Sequence, residues 1–158
     1  MSNRIVVNTS PLIAFGKMQA FELISQLPFE FICPKQVEAE ILAGLSKGYS
    51  VLMPQWVRIQ MLNTRLTQFA LANLDAGEAA VIELALEQNI DIVCLDELKG
   101  RRAALASGLR VVGSLGLLGK AKALGLIAKV RPFVELAQDT GIYYDTNLVR
   151  SFLNGMGE

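Results

Sequence analysis

Apolar and polar positions along the chain fall into two recurring kinds of segment. Short, mainly apolar runs at 5–7, 29–33, 90–95 and 109–112 carry Ile, Val, Leu, Phe and Cys without sustained polar alternation. Such runs predict strands covered on both faces, as in a parallel sheet. Longer stretches at 11–27, 34–45, 76–88, 99–107 and 115–124 place apolar residues at helical spacing. Pro11 and Pro34 suit a first helical turn, and Gly44, Gly108 and Gly125 suit helix ends. The succession of strand and helix predicts βαβ units, hence an α/β fold with a central parallel sheet and helices on both faces. One domain over residues 1–158 is expected. Segment 46–73 breaks the rhythm and predicts a loop with a helix around 62–71. Two short helices, 133–137 and 147–153, are predicted near the end, with Tyr143 and Tyr144 between them, which could stack bases but are expected to pack.

Composition narrows the chemistry. The 158 residues include 52% apolar side chains, enough for a sizeable core. Basic and acidic residues balance at 15 each, so no global field draws the protein to polyanions, although local patches remain open. Histidine is absent. That excludes Ser-His-Asp and Cys-His nucleophiles and His-ligated zinc, leaving Asp, Glu, Lys, Tyr, Cys or backbone for acid–base and metal work. Cys33 and Cys94 each end an apolar run and lack CxxC spacing, which suits buried reduced thiols. Met1–Arg4 leads directly into a three-residue apolar run, too short for a signal peptide, and no run is long enough to span a bilayer. A cytoplasmic protein without membrane association is expected.

In an open parallel sheet, ligands bind beyond the carboxyl ends of the strands. Asn8, Pro34, Asp96-Glu97 and Ser114 follow the four predicted strands, so three of the four end in polar side chains. Asp96 could cap the following helix. Adjacent carboxylates also favour a cation or a nearby arginine. Lys99, Arg101 and Arg102 follow at once, as neutralising partners, phosphate contacts or a solvated face. Asp75-Ala76-Gly77-Glu78 has the form of a capping box. On a wheel of about 100° per residue, Glu78 falls in line with Ile82, inside the apolar stripe of Ala79, Ile82, Ala85 and Leu86. Glu83 and Glu87 fall outside it. A carboxylate on the first turn of a buried face points toward the sheet's end, and capping and a site role can coexist. Glu38 and Glu40 flank the inner face set by Val37 and Ile41, and periodicity does not choose between them. Oxygen ligands without His or Cys suit Mg²⁺ or Mn²⁺, ions that commonly act on phosphates. Walker A and GxGxxG loops are absent, which favours phosphodiester hydrolysis over nucleotide binding.

Taken in order, these segments resemble the PIN-domain (PilT N-terminus) nuclease superfamily over nearly the whole chain. The branch most similar contains predicted nucleic-acid-binding proteins related to VapC-type toxins. Ile5-Val6-Val7-Asn8-Thr9-Ser10-Pro11 is similar to the first motif, a strand followed by an acidic residue and Ser/Thr. Cys33-Pro34-Lys35-Gln36-Val37-Glu38-Ala39-Glu40 resembles the helix bearing the family glutamate, placed at Glu40. Leu74–Ala79 and Val93–Glu97 resemble the third and fourth acidic motifs, at Glu78 and Asp96. Gly100-Arg101-Arg102-Ala103 and Val112–Leu118 look like this branch in particular.

The resemblance implies a three-layer α/β/α fold and an acidic pocket for one or two Mg²⁺ or Mn²⁺ ions. It further implies a ribonuclease, in many members the toxin of a type II toxin–antitoxin pair, with RNA as substrate, an antitoxin as partner, and homodimerisation. Asn8, Glu40, Glu78 and Asp96 would be catalytic, with Asn8, Glu78 and Asp96 on the metal. Glu97 and Ser114 would be auxiliary ligands, and Lys99, Arg101 and Arg102 would meet nucleic acid. One position departs from the pattern: Asn8 stands where the nucleases carry Asp. Its amide oxygen can ligate a metal but brings no charge. The alternative is therefore a degenerate PIN module that binds nucleic acid or protein without cutting. A receiver-like or phosphatase-like domain fits less well, because Asn8-Thr9 offers no acidic pair.

Overall fold

The computed structural model describes residues 3–48 and 51–158. Five parallel strands form one sheet in the order β3-β2-β1-β4-β5. These are β1 (Arg4–Val7), β2 (Glu30–Pro34), β3 (Arg58–Gln60), β4 (Ile92–Cys94) and β5 (Arg110–Val112). Among the described residues nine helices accompany them: α1 (Thr9–Lys17), α2 (Phe21–Ser25), α3 (Lys35–Ser46), α4 (Gln68–Asn73), α5 (Ala76–Glu87), α6 (Leu98–Ala106), α7 (Ser114–Ala123), α8 (Arg131–Asp139) and α9 (Thr146–Gly155). Helix α5 packs on β1, β2 and β4, α6 packs on β5, and α3 packs against α5. Helices α1, α2, α7 and α8 pack together as the other layer. The result is the expected three-layer α/β/α architecture.

The central strand explains why apolar runs gave the sheet away. Ile5, Val6 and Val7 are fully buried, as are Ile32, Cys33, Val93 and Cys94 on the neighbouring strands. Each large aliphatic side chain so covered contributes about 1.5–3 kcal/mol. Register pairs Val6 with Val93 and Cys94 with Val112, so β1, β4 and β5 end nearly level. Asn8 N–H to Cys94 C=O (3.1 Å) and Leu95 N–H to Val112 C=O (3.0 Å) extend the ladder by one residue. Asn8, Asp96 and Ser114 are thereby delivered to one end of the sheet, beyond the carboxyl ends of its strands.

Four expectations need correction. The stretch 11–27 is two helices, because Gln19 adopts a left-handed conformation (φ 55°) that ends α1 before α2 begins. Met18 and Ala20 stay buried across this break, so apolar spacing runs through it unchanged. Segment 46–73 contains a strand, β3, besides helix α4, and the expected helix at 62–71 is shorter and later. As a three-residue edge strand, β3 has an exposed Arg58 and half-buried Ile59 and Gln60, and so lacks an apolar run. Its approach is fixed by Trp56, whose ring meets Phe31 edge-on at 5.0 Å and Phe21 at 6.1 Å. Leu86, placed in the apolar stripe of α5, is 44% exposed, while Ala80, Val81 and Leu84 are buried instead. Helix α5 is covered on most of its circumference, so a single stripe does not describe it. Tyr144 is buried as expected, but Tyr143 is 85% exposed.

Candidate functional site

Helices α1, α3, α6 and α7 begin just beyond strand ends, and together with α5 they carry the polar groups. Asn8 occupies the N-cap position of α1, where Asn usually accepts a hydrogen bond from the first turn. Here its side chain makes no such bond. Asn8 is 4% exposed, and its Oδ1 is buried without a hydrogen-bond partner. The next residue, Thr9, donates its hydroxyl to Glu40 Oε2 at 2.8 Å, which fixes the Glu40 carboxylate of α3 beside the β1 end. Glu38, the alternative on that helix, pairs with Lys35 at the surface.

Glu78 both caps and faces inward. Asp75 Oδ1 accepts from Glu78 N–H at 2.8 Å, and Glu78 Oε1 accepts from Asp75 N–H at 3.2 Å, a complete capping box. Yet Glu78 is only 2% exposed, and its second oxygen, Oε2, is buried with no partner. Capping alone leaves half of this carboxylate unsatisfied. Burial is the main influence pushing the Glu78 carboxyl above its ordinary value, with the charges of Asp75 and Glu97 acting the same way. Glu40 is also raised, first by burial and then by Asp75 and Glu97, against the lowering bond from Thr9.

Asp96 holds a different corner. It does not cap α6, whose N-cap is Glu97 with no side-chain cap bond. Its Oδ1 instead accepts from Ser114 N–H at 2.7 Å, the first residue of α7. The positive end of that helix suits a carboxylate there. Burial raises the Asp96 carboxyl, countered by the Ser114 bonds and by Arg101. Ser114 is buried, and its hydroxyl lies 2.6 Å from the Tyr144 hydroxyl. Arg101 folds back to donate to the Leu95 carbonyl at 2.8 Å. Lys99 and Arg102 lie exposed on α6. Glu97 is exposed, 3.4 Å from the Ser10 hydroxyl.

Three glycines make room for the buried Glu78 and the half-buried Glu40 and Asp96. A Cβ at Gly77 would sit 2.2 Å from Glu40 Oε1, one at Gly100 would sit 2.6 Å from Glu78 Oε2, and one at Gly113 would sit 2.9 Å from Asp96 Oδ1. Each carboxylate is thus pressed against bare backbone, a close approach that only glycine permits.

Among the described residues, the carboxylates whose oxygens lie within 4.8 Å of one another are those of Asp75, Glu78 and Glu97. Sequence reasoning treated Asp75 only as a cap, although Asp and Glu three residues apart at a helix start already place two carboxylates together. It gave Thr9 only a place in the first motif and Tyr144 only a packing role, whereas they bond to Glu40 and Ser114. The donor set fits a hard divalent cation. It offers carboxylate and amide oxygens without nitrogen or sulfur ligands, and two buried oxygens await a partner. Beside the acids, a cleft of about 950 Å³ runs from Asp96, Glu97 and Arg101 to Tyr143, Tyr144 and Phe152. No helix of the described residues is long and apolar enough to cross a membrane.

No curated protein matches the chain significantly. A family model described as a PIN domain matches residues 4–158, which takes in every strand and helix above and each of the acids at the strand ends. On that evidence the chain belongs to the PIN-domain family.

Proposed function

We propose that this protein is a divalent-metal-dependent ribonuclease, using Mg²⁺ or Mn²⁺ to hydrolyse phosphodiester bonds of RNA. The observation that carries the reading is the pair of buried, partnerless oxygens, Asn8 Oδ1 and Glu78 Oε2, among carboxylates at the strand ends. Leaving such groups unpaired is costly, so a ligand that satisfies them is favoured. Glu40, Glu78 and Asp96 are the catalytic acids of this reading, with Asn8, Glu78 and Asp96 facing the ion and Glu97 and Ser114 assisting.

When bound, a divalent cation supplies a reactive water near neutral pH and offsets charge on the phosphoryl oxygens. The chain's own residues do the rest. Thr9 orients Glu40 through their 2.8 Å bond. Ser114 N–H, backed by the Tyr144–Ser114 hydroxyl pair, fixes Asp96. Arg101 offsets charge beside Asp96, while Lys99 and Arg102, exposed on the adjoining helix, meet RNA phosphates. A toxin role, with an antitoxin partner and a homodimeric assembly, is the biological setting we infer for such an enzyme.

The test is cleavage of mixed single-stranded and structured RNA in Mn²⁺, beside a Glu78→Gln, Asp96→Asn double variant. Cleavage by the unaltered protein that the double variant loses supports the reading. Cleavage that survives both changes assigns the activity elsewhere. A second reading, binding without cutting, is favoured by the missing charge at Asn8. Tight Mn²⁺ binding that depends on Asp96 counts against it.

A further inference from the structure

An acid missing from one wall of a cation site is tolerable if another wall supplies it. Asn8 contributes an amide oxygen but no charge, and it lies at the end of β1. The N-terminal turn of α5 and the N-cap of α6 bring together three carboxylates, from Asp75, Glu78 and Glu97, the last 3.4 Å from the hydroxyl of Ser10, which follows Asn8 on α1. Their oxygens lie within 4.8 Å of one another. An ion bonded to three oxygens at about 2.1–2.4 Å holds them no more than about 3.6–4.2 Å apart, so the set closes on one ion with a small inward movement. Mutual proximity of acids is common at protein surfaces and decides nothing alone. The independent sign is Glu78: 2% exposed, with Oε2 partnerless against Gly100 although Oε1 is already used in the capping box. Asp75 and Glu97 are both exposed, so each can adjust toward an ion. Glu97 makes no capping bond at its own helix, so its carboxylate is not committed there.

We propose that Asp75 and Glu97 join Glu78 as direct ligands of the cation, supplying the negative charge that Asn8 lacks and drawing the ion toward the N-termini of α5 and α6. The proposal rests on the metal-dependent reading above and adds a ligand, Asp75, to which the motif resemblance gives no role at the metal. The ion then balances three neighbouring negative charges, an arrangement that favours binding even with a neutral residue at position 8.

The test uses Mn²⁺ alone, without RNA, by calorimetric titration and by loss of the free-ion electron paramagnetic resonance signal. Asp75→Asn keeps an oxygen able to accept from Glu78 N–H, so the helix cap survives while the charge goes. Glu97→Gln has no cap bond to lose. Each is expected to weaken Mn²⁺ binding by about ten-fold or more, since ligand charge count sets affinity at oxygen sites. Asp91→Asn, an exposed acid paired with Arg110 on the sheet's other end, should stay within about two-fold by the same principle. Thermal midpoints check that each variant is folded. If both site variants bind Mn²⁺ as the unaltered protein does while Asp96→Asn abolishes binding, the ion lies elsewhere and the proposal falls, with the metal-dependent reading intact. If the unaltered protein binds no Mn²⁺ at millimolar concentration, the reading itself falls and takes the proposal with it. If Mn²⁺ binds through Asp75 but RNA is never cut, the ligand assignment stands and the ribonuclease reading fails.

Discussion

Replacing Glu78 by Gln separates a metal site from a helix cap, because Gln can keep every hydrogen bond that Glu78 makes. Gln at the third helical position completes a capping box as well as Glu does. What Gln lacks is charge. At an effective dielectric near 20, two unit charges 4.8 Å apart, the outer limit of this cluster, repel by about 3.5 kcal/mol. Asp75 and Glu97 are exposed, and solvent screening cuts that to roughly 1 kcal/mol for each. The metal-free variant at pH 8 should therefore be more stable than the parent by about 2 kcal/mol. For a chain of this size that raises the thermal midpoint by about 4–8 °C. The order reverses with ligand. Mn²⁺ at a hundred times its dissociation constant stabilises the parent by about 2.7 kcal/mol, and the variant should gain much less. Thermal melts in EDTA and in Mn²⁺ read both effects. A midpoint that falls in EDTA would show that the carboxylate serves the fold, and an equal Mn²⁺ gain in both proteins would place the ion elsewhere. Either result refutes the argument.

Restoring the acid at residue 8 should help binding: Asn8→Asp is expected to tighten Mn²⁺ by about ten-fold, read by titration, and no change would remove residue 8 from the ion's surroundings. Gly100→Ala puts a methyl group 2.6 Å from Glu78 Oε2, displacing that carboxylate. Overpacking this buried glycine costs about 1–3 kcal/mol, offset by the roughly 1 kcal/mol better helix propensity of Ala, so the thermal midpoint should fall by at most about 8 °C, while Mn²⁺ affinity drops by about ten-fold, the scale seen when support around a metal site is altered. Unchanged affinity would refute the cradle. Glu40, Glu78 and Asp96 are all raised above their ordinary values, chiefly by burial. The folded state therefore holds protons that the unfolded state has released, and metal-free stability must fall as pH rises from the ordinary values, 4.5 for Glu and 3.8 for Asp, through the raised folded ones. Melts in EDTA should show the midpoint climbing as pH is lowered from neutral toward those ordinary values. Saturating Mn²⁺ should oppose that trend, because its ligands must be deprotonated, and a flat profile in EDTA would argue against buried charge at the site.

What the sequence disclosed depended on whether one residue's surroundings could be inferred from its neighbours in the chain. The buried strands were legible because β1, β2 and β4 are covered on both faces, which demands unbroken apolar residues. The edge strand β3 was not, since Arg58 and Gln60 answer to solvent, and its place is fixed by the edge-on contacts of Trp56 with Phe21 and Phe31 across the fold. The same division runs through the site. Asn8, Asp96 and Ser114 could be placed from strand ends alone, and Glu78 from its position on a buried helical face. The bond from Ser114 to Asp96 and the hydroxyl contact to Tyr144 span 18 and 30 residues, beyond any periodic pattern. Asp75 is the instructive case. Its local role, capping, is real and fully explains its presence next to Gly77 and Glu78. A residue with one sufficient local explanation gives no sequence signal of a second role. Only the fold places Glu97 of a separate helix against that cap, and only burial leaves Glu78 with one oxygen too many for capping. The excess acceptor, rather than the number of acids, is therefore what distinguishes a binding site from a well-capped helix in this protein.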